Sequence, residues 1–476
     1  MRAMTRLWLL IGLTCLALSG LLALLLAISR MPWLAAWFSD PLFFRRTLVV
    51  HVDLGVTVWF TAFPLALSYY CTSRFHIEDQ AKKLSNALPA FASILSILGI
   101  LLFALDGMAG SATPLLSNYI PMISSPGFAA GIALYFLGIA LQFAYLLLIV
   151  WPKMPQFWLK PALQVGTSFM LLAFITLLAD TLRTDRGLLE AAFYEVAFWG
   201  GGHLLQNASA IFMVISWCLL LGRSQDDELN PLLSVRQVRW LSAWLGLPLV
   251  GGATLLFLGP NFSFQGSWMS NDLSFHSRDL YTQLMRFGIF PPVLVLLGLL
   301  LPQVKIQLRK FTWGSSQHTL LLAFLLSSGM ILFGFAYGFT IRGQDLRIPG
   351  HYHASLGAVS LAYTSLSLCL AASVGWVHEA QALSSRLARA FIWNYGLGQW
   401  MHATGLLTAG FLGLSRKVYG TEQKVTHALA PMAMGFMGLG SLVAVIGAAL
   451  LFITLYRFRI EKVRSNSQVT PLQEVK

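Results

Sequence analysis

Twelve times along this chain, about twenty or more mostly apolar residues follow one another with little charge. The stretches cover approximately 7–29, 44–70, 88–109, 127–151, 161–182, 190–221, 235–259, 280–303, 317–341, 349–377, 390–414 and 430–457. A helix needs about 20 such residues to cross a hydrocarbon core of about 30 Å. Inside a bilayer each backbone N–H and C=O must be paired within the protein, which makes the helix the natural crossing structure for such stretches. Composition points the same way: apolar residues are 57% and charged residues 11%, against roughly 45–50% and about 25% in soluble globular chains. Too little polar surface remains to cover a water-soluble body, and disorder, coiled coil and a collagen-like chain are excluded by the same numbers. The expected fold class is all-α, a polytopic membrane protein in a lipid bilayer. Residues 1–457 are expected to form a twelve-helix domain and 458–476 a disordered cytoplasmic tail.

The net charge of +13 fits basic residues gathered in cytoplasmic loops. No basic run is interleaved with aromatics, so no nucleic-acid partner is expected. With the N-terminus inside, about 20 of the 32 basic residues fall on the cytoplasmic side, which places both termini there. The first apolar run lacks a convincing small-residue cleavage site and reads as an uncleaved span. Cys15, Cys71, Cys218 and Cys369 are far apart and imply neither a disulfide framework nor a thiolate metal site.

Ten histidines are present. His76, His276, His318, His378 and His427 fall in expected loops or at helix ends. His402 lies inside the eleventh span, where hydrogen-bonded packing is the plainer reading than ligation. His51, His203, His351 and His353 remain. Ionisable side chains in a bilayer are expensive, and they pair, line a cavity or bind something; imidazole is also a common ligand of haem iron and copper. His51 stands about seven residues into the second span, His351 and His353 two and four into the tenth, and His203 about thirteen into the sixth. All four fall in the outer half at about 1.5 Å per residue. Two residues along a helix is a turn of about 200°, so His351 and His353 point to nearly opposite sides and are able to serve two centres.

The segments RRTLVVHVDLGVTVWF (45–60), WGGGHLLQNASAIF (199–212) and GHYHASLGAVSLAY (350–363) resemble subunit I of the haem-copper oxidase superfamily. The flavour is that of the C-family cytochrome c oxidases and the bacterial nitric oxide reductases, and the resemblance covers essentially the whole chain. It implies a twelve-helix bundle in a bacterial cytoplasmic membrane. It also implies two haems, of b type in this branch: one low-spin haem on His51 and His353, and one high-spin haem on His351. Two imidazoles close the iron for electron transfer, whereas one leaves a face open to a diatomic gas such as O2 or NO. GFLGLSRKVYG (410–420) resembles the family's outer loop, which places Arg416 and Lys417 at haem propionates. A plain solvated loop is the alternative for that pair.

The resemblance breaks at the second metal. The family's copper or non-haem iron is held by the sixth-span histidine, here His203, and an adjacent histidine pair after the seventh span. The chain there reads LLFLGPNFSFQG (255–266), with Asn261 and Phe262 in place of the pair. Phe donates no lone pair and a neutral amide is a poor copper ligand, so copper and non-haem iron are expected to be absent. Four residues after His203 stands Asn207, where relatives carry a tyrosine or a glutamate. His203 and Asn207 are therefore the candidate catalytic pair, with Gln206 and Asn207 as donors to a bound gas or simply packing residues. Asp53 is expected to face a polar outer cavity. Trp59, Trp199 and Trp268 either flank haems or belong to an ordinary aromatic belt.

Three functions stay open. One is a dihaem oxidoreductase that takes electrons from a c-type cytochrome or a cytochrome c subunit and reduces or binds a diatomic gas. Another is a haem-based gas sensor or electron conduit, and the third is a transporter-like bundle with structural histidines. No CxxCH occurs, so electrons are expected from a separate protein.

Overall fold

The computed structural model describes all residues except 32–33, 35–40, 76–81, 110–111, 224–230, 269–270, 419–424, 426 and 468–476. Twelve long helices follow one another among the described residues, and each expected crossing corresponds to one of them. They are α1 (Arg2–Arg30), α2 (Pro41–Val52, continuing as a π-helical Asp53–Val58 and then Trp59–Ser73), α3 (Lys82–Ala109) and α4 (Pro126–Tyr145, prolonged through Leu146–Val150 and Trp151–Lys153). Next come α5 (Lys160–Arg183), α6 (Trp199–Arg223), α7 (Val235–Leu258) and α8 (Ser277–Arg309). The last four are α9 (Ser316–Gly338), α10 (Arg347–Ser373), α11 (Arg386–Phe411) and α12 (Ala430–Ser467). Eleven of the helices among the described residues are long and apolar enough to cross a membrane. α11 is not one of those eleven. It packs closely on α10 and α12, where its polar positions are supported by neighbouring helices rather than by lipid.

Burial is uneven, and the unevenness marks the centre. The most apolar windows of α6 and α10 are each 89% buried and that of α2 is 72%, against 28% for α8 and 33% for α1, α7 and α12. The three helices that carry His51, His203, His351 and His353 are thus the innermost. The outer helices show Leu, Ile and Phe outward: Phe257 of α7 is 83% exposed and Leu182 of α5 is 68%, as lipid-facing surface requires.

Two expectations are corrected. The sixth span does not run unbroken from 190: a short helix Glu190–Ala197 stops at Phe198 before α6 begins. His203 is therefore in the second turn of α6, near its end rather than near the middle of a span. The stretch after α7 is not a plain loop; β3 (Ser263–Trp268) and β4 (Asn271–His276) pair antiparallel, with Ser263 opposite His276. A smaller pair, β1 (Pro114–Leu115) with β2 (Met122–Ile123), lies between α3 and α4. α12 is helical through Ser467, as RFRIEKVR (457–464) contains no helix breaker. Residues 468–476 of the expected tail lie outside the described residues.

Candidate functional site

The site is built from imidazoles whose two ring nitrogens have different fates. On α2, His51 Nδ1 lies 2.9 Å from the Ser19 carbonyl and 3.0 Å from Ser19 Oγ. A carbonyl only accepts, so Nδ1 carries the proton and Nε2 keeps its lone pair. The Ser19 hydroxyl in turn donates to the His51 carbonyl at 2.9 Å. This junction depends on a close approach of α1 to α2 that Gly55 permits, since a Cβ there would meet Ser19 Oγ at 2.1 Å.

On α10, His351 repeats the arrangement. Its Nδ1 is 2.7 Å from the Gly334 carbonyl of α9, which again leaves Nε2 unspent. α9 passes so near that a Cβ at Gly338 would stand 3.0 Å from His351 Nδ1. His353 turns the other way, toward α11, where its ring centroid is 4.5 Å from that of His402 at an interplanar angle of 76°. The opposite directions expected of these two side chains are therefore what the structure has. His51 lies within electrostatic reach of both His353 and His402, and Arg30 at the end of α1 reaches the same two rings. His51, His351, His353 and His402 all retain partial exposure although the two helices carrying most of them are innermost, so they border open space.

His203 is different. It is 2% exposed, and its Nδ1 lies 2.8 Å from the Trp199 carbonyl one turn back. Its Nε2 is 3.0 Å from the Tyr119 hydroxyl and 3.2 Å from Thr282 Oγ1. Burial, with Glu195 adding, pushes the Tyr119 phenol above its ordinary value, so it stays protonated and donates to Nε2. The lone pair that would face a metal is thus already in use. Tyr119 has φ 68°, a left-handed backbone rare for a residue with a side chain, and it packs on Gly202, where a Cβ would meet its ring at 2.2 Å. Trp199 lies beside His203 at 5.0 Å between centroids, with the Arg278 guanidinium 4.1 Å from the Trp199 ring.

The remaining expected residues fall as follows. Asn207 Nδ2 donates to the His203 carbonyl at 3.0 Å, so its amide is partly spent on its own helix. Gln206 is half-buried and its Oε1 has no partner among the described residues. Asn261 is exposed and Phe262 half-buried, at the turn between α7 and β3. The hairpin carries His276 back beside Ser263, yet its side chain is 63% exposed and pairs with Asp279 at 3.6 Å, so it does not join His203. Asp53 does not face a cavity: it is 0% exposed and its Oδ1 accepts from Thr57 at 3.0 Å. Trp59 is fully buried beside Phe63 and Tyr363. The Trp268 side chain, and His76, lie outside the described residues.

Arg416 and Lys417 form a clasp with the β1–β2 loop. Arg416 donates to Asn118 Oδ1 at 3.1 Å and Lys417 to the Leu116 carbonyl. Asn118 also binds the Glu195 carboxylate, its backbone N–H at 2.8 Å. Burial, and Arg416 beside it, hold the Lys417 ammonium below the ordinary lysine value. Arg30 and Arg416 both lie within electrostatic reach of Tyr352, between the two α10 histidines. Sequence reasoning missed Tyr119, Thr282, Ser19 and Arg30, all brought in by tertiary packing from other parts of the chain.

The chain's whole length matches a heme-copper terminal oxidase solved as a dimer by cryo-EM, with a TM-score of 0.72 and 15% identity, covering 100% of this chain and 85% of that one. The fold is that of a haem-copper terminal oxidase. Two curated relatives are themselves uncharacterized: a protein of Rickettsia prowazekii, 23% identical over 94% of each chain, and one of Aquifex aeolicus, 29% identical over 78% of this chain and 86% of the relative. No family model matches. This chain is therefore a polytopic helical membrane protein with the oxidase architecture.

The residues present suit haem. Imidazoles that serve as metal ligands are held by a hydrogen bond from the second ring nitrogen, commonly to a carbonyl. His51 and His351 are held this way, and both border open space. The residues do not suit a second metal beside His203, whose Nε2 is engaged and whose expected partner positions offer no donor.

Proposed function

We propose that the chain is a membrane dihaem protein that passes electrons from a c-type cytochrome, through a low-spin haem on His51 and His353, to a second haem on His351 that takes a diatomic gas. The observation carrying this reading is the pair of fixed imidazoles, His51 and His351, with Nδ1 tied to the carbonyls of Ser19 and Gly334 and Nε2 left for iron. When bound, haem supplies one-electron chemistry and, with one axial imidazole, an open coordination position for O2 or NO. The protein's part is to fix the tautomer and aim of each ring. α2 and α10 supply opposed side chains, while Arg30, Arg416 and Lys417 offer cations for propionate groups. In this reading no copper or non-haem iron takes part, because the Tyr119 hydroxyl holds the His203 lone pair.

A second reading, a gas sensor or electron conduit without turnover, is favoured by the closed state of the His203 side. Asn207 is bonded to its own helix and His203 Nε2 is occupied, so proton delivery to a bound gas has no open donor among these groups.

Purified full-length chain made with ample haem is expected to show two b-type haems per chain by pyridine haemochrome. Carbon monoxide should shift the spectrum of one of them, and copper and non-haem iron should be at background by elemental analysis. Turnover of O2 or NO with reduced cytochrome c then separates the oxidoreductase from the sensor. A colourless preparation overturns both.

A further inference from the structure

His402 belongs to neither expected haem set, yet it shares the geometry of the ligands. Its Nδ1 lies 3.2 Å from the Met437 carbonyl and 2.6 Å from Ser441 Oγ. As at His51, one carbonyl and one serine hydroxyl address Nδ1, which fixes the proton there and leaves Nε2 with a free lone pair. α12 comes close enough for this because of Gly440, where a Cβ would stand 2.3 Å from the His402 backbone nitrogen. The His402 side chain is partly exposed, borders the same space as His353, and is within electrostatic reach of His51. His353, by contrast, forms no ring hydrogen bond with any described residue; its ring meets Tyr352 and the His402 ring instead.

Of the three imidazoles gathered here, the two held in place are therefore His51 and His402, and the one free to turn is His353. We propose that His402 is an alternative axial ligand, able to hold the low-spin iron from α11 in place of His353 from α10. This rests on the haem reading above. A purely structural histidine would need its second nitrogen satisfied or excluded by apolar packing, and His402 Nε2 is satisfied by no described residue. The two rings stand edge to face with their centroids 4.5 Å apart, so both side chains reach the same region.

The test uses the full-length protein and reads spin state rather than activity. Low-spin haem is quantified by electron paramagnetic resonance and resonance Raman in wild type, His353→Ala, His402→Ala and the double variant. The carbon monoxide-binding haem on His351 serves as the internal measure of folding. In His353→Ala at least half of the low-spin haem is expected to remain with altered g values, and His402→Ala is expected to stay low-spin. The double variant is expected to lose the low-spin signal while the carbon monoxide band persists. If His353→Ala alone matches the double variant, His402 is not a ligand and the proposal falls. Should His353→Ala fail to accumulate, His353→Gln preserves the volume and gives the same readout. Absence of haem from the wild type would instead sink the haem reading itself, so the two failures are distinguishable.

Discussion

Two groups of histidines lie toward the same end of the bundle and differ in one respect. Around α2, α10 and α11, His51, His351 and His402 each spend Nδ1 on a carbonyl, and Nε2 has no partner among the described residues. Around α6 and α8, His203 spends Nδ1 on Trp199 and Nε2 on Tyr119, with Thr282 Oγ1 beside it at 3.2 Å. Residue type is the same in both places; what separates the two groups is the second ring nitrogen. An imidazole held at one nitrogen is aimed, whereas one held at both is a packed polar residue. The fold is that of the oxidase throughout, and under the proposed function only the side of His51 and His351 would ligate.

The largest effect should come from exchanging single histidines across that divide. His51→Ala is expected to remove one haem of two, seen as loss of about half the haemochrome absorbance and of the low-spin resonance. His203→Ala is expected to leave both haems in place. It would release the Tyr119 hydroxyl and cost about 1–3 kcal/mol of stability, the usual result of stranding a buried polar group. Haem loss from His203→Ala equal to that from His51→Ala would dissolve the distinction drawn here.

A smaller effect tests why the His203 side is closed. Asn261→His with Phe262→His restores the missing residue types, yet copper bound per chain is expected to stay at background. Asn261 is exposed at the turn into β3, and Tyr119 still occupies His203 Nε2. Stoichiometric copper in that double variant, measured by elemental analysis, would show that the Tyr119 hydrogen bond yields readily and that residue type alone decides the site. Tyr119→Phe by itself is expected to cost only about 1 kcal/mol, the net worth of one hydrogen bond, read as a modest fall in the thermal midpoint.

These contrasts also show what the sequence made legible. The crossings were readable because a bilayer imposes a length of about 20 apolar residues, and the opposed aim of His351 and His353 followed from helical rotation alone. The closure of His203 was not readable. Tyr119 reaches it from the loop between α3 and α4, on a left-handed backbone that Gly or Asn would advertise and Tyr does not. The β3–β4 hairpin was hidden for another reason: SFQGSW and NDLSFH alternate in the manner of strands, but a ruler set to helical crossings passes over six-residue runs. His402 was visible as a histidine inside the eleventh span, and only its neighbours Met437, Ser441 and His353, drawn from two other helices, give it a further meaning.

The smallest effect concerns how the open side is held in register. Asp345, in the loop before α10, receives the Arg347 guanidinium through two nitrogens and the Arg347 backbone N–H at 2.9 Å. The next residue, Leu346, donates its N–H to the Leu414 carbonyl at 3.1 Å, and Asp345 itself bridges to Ser415. The first turn of α10 is thereby tied to the loop that carries Arg416 and Lys417, and His351 follows four residues on. Arg347 holds the Asp345 carboxyl below its ordinary value. A depressed carboxyl contributes stability above the unfolded value of about 3.9 and loses it as pH falls through the folded one. Asp345→Asn should therefore lower the thermal midpoint slightly at pH 6–7, by no more than the ~1 kcal/mol of a partly exposed pair. The gap to wild type should close as the medium is acidified below the carboxylate range. A gap of equal size at both ends of that titration would mean that the clasp acts through the backbone bonds of Leu346 and not through the Asp345 charge.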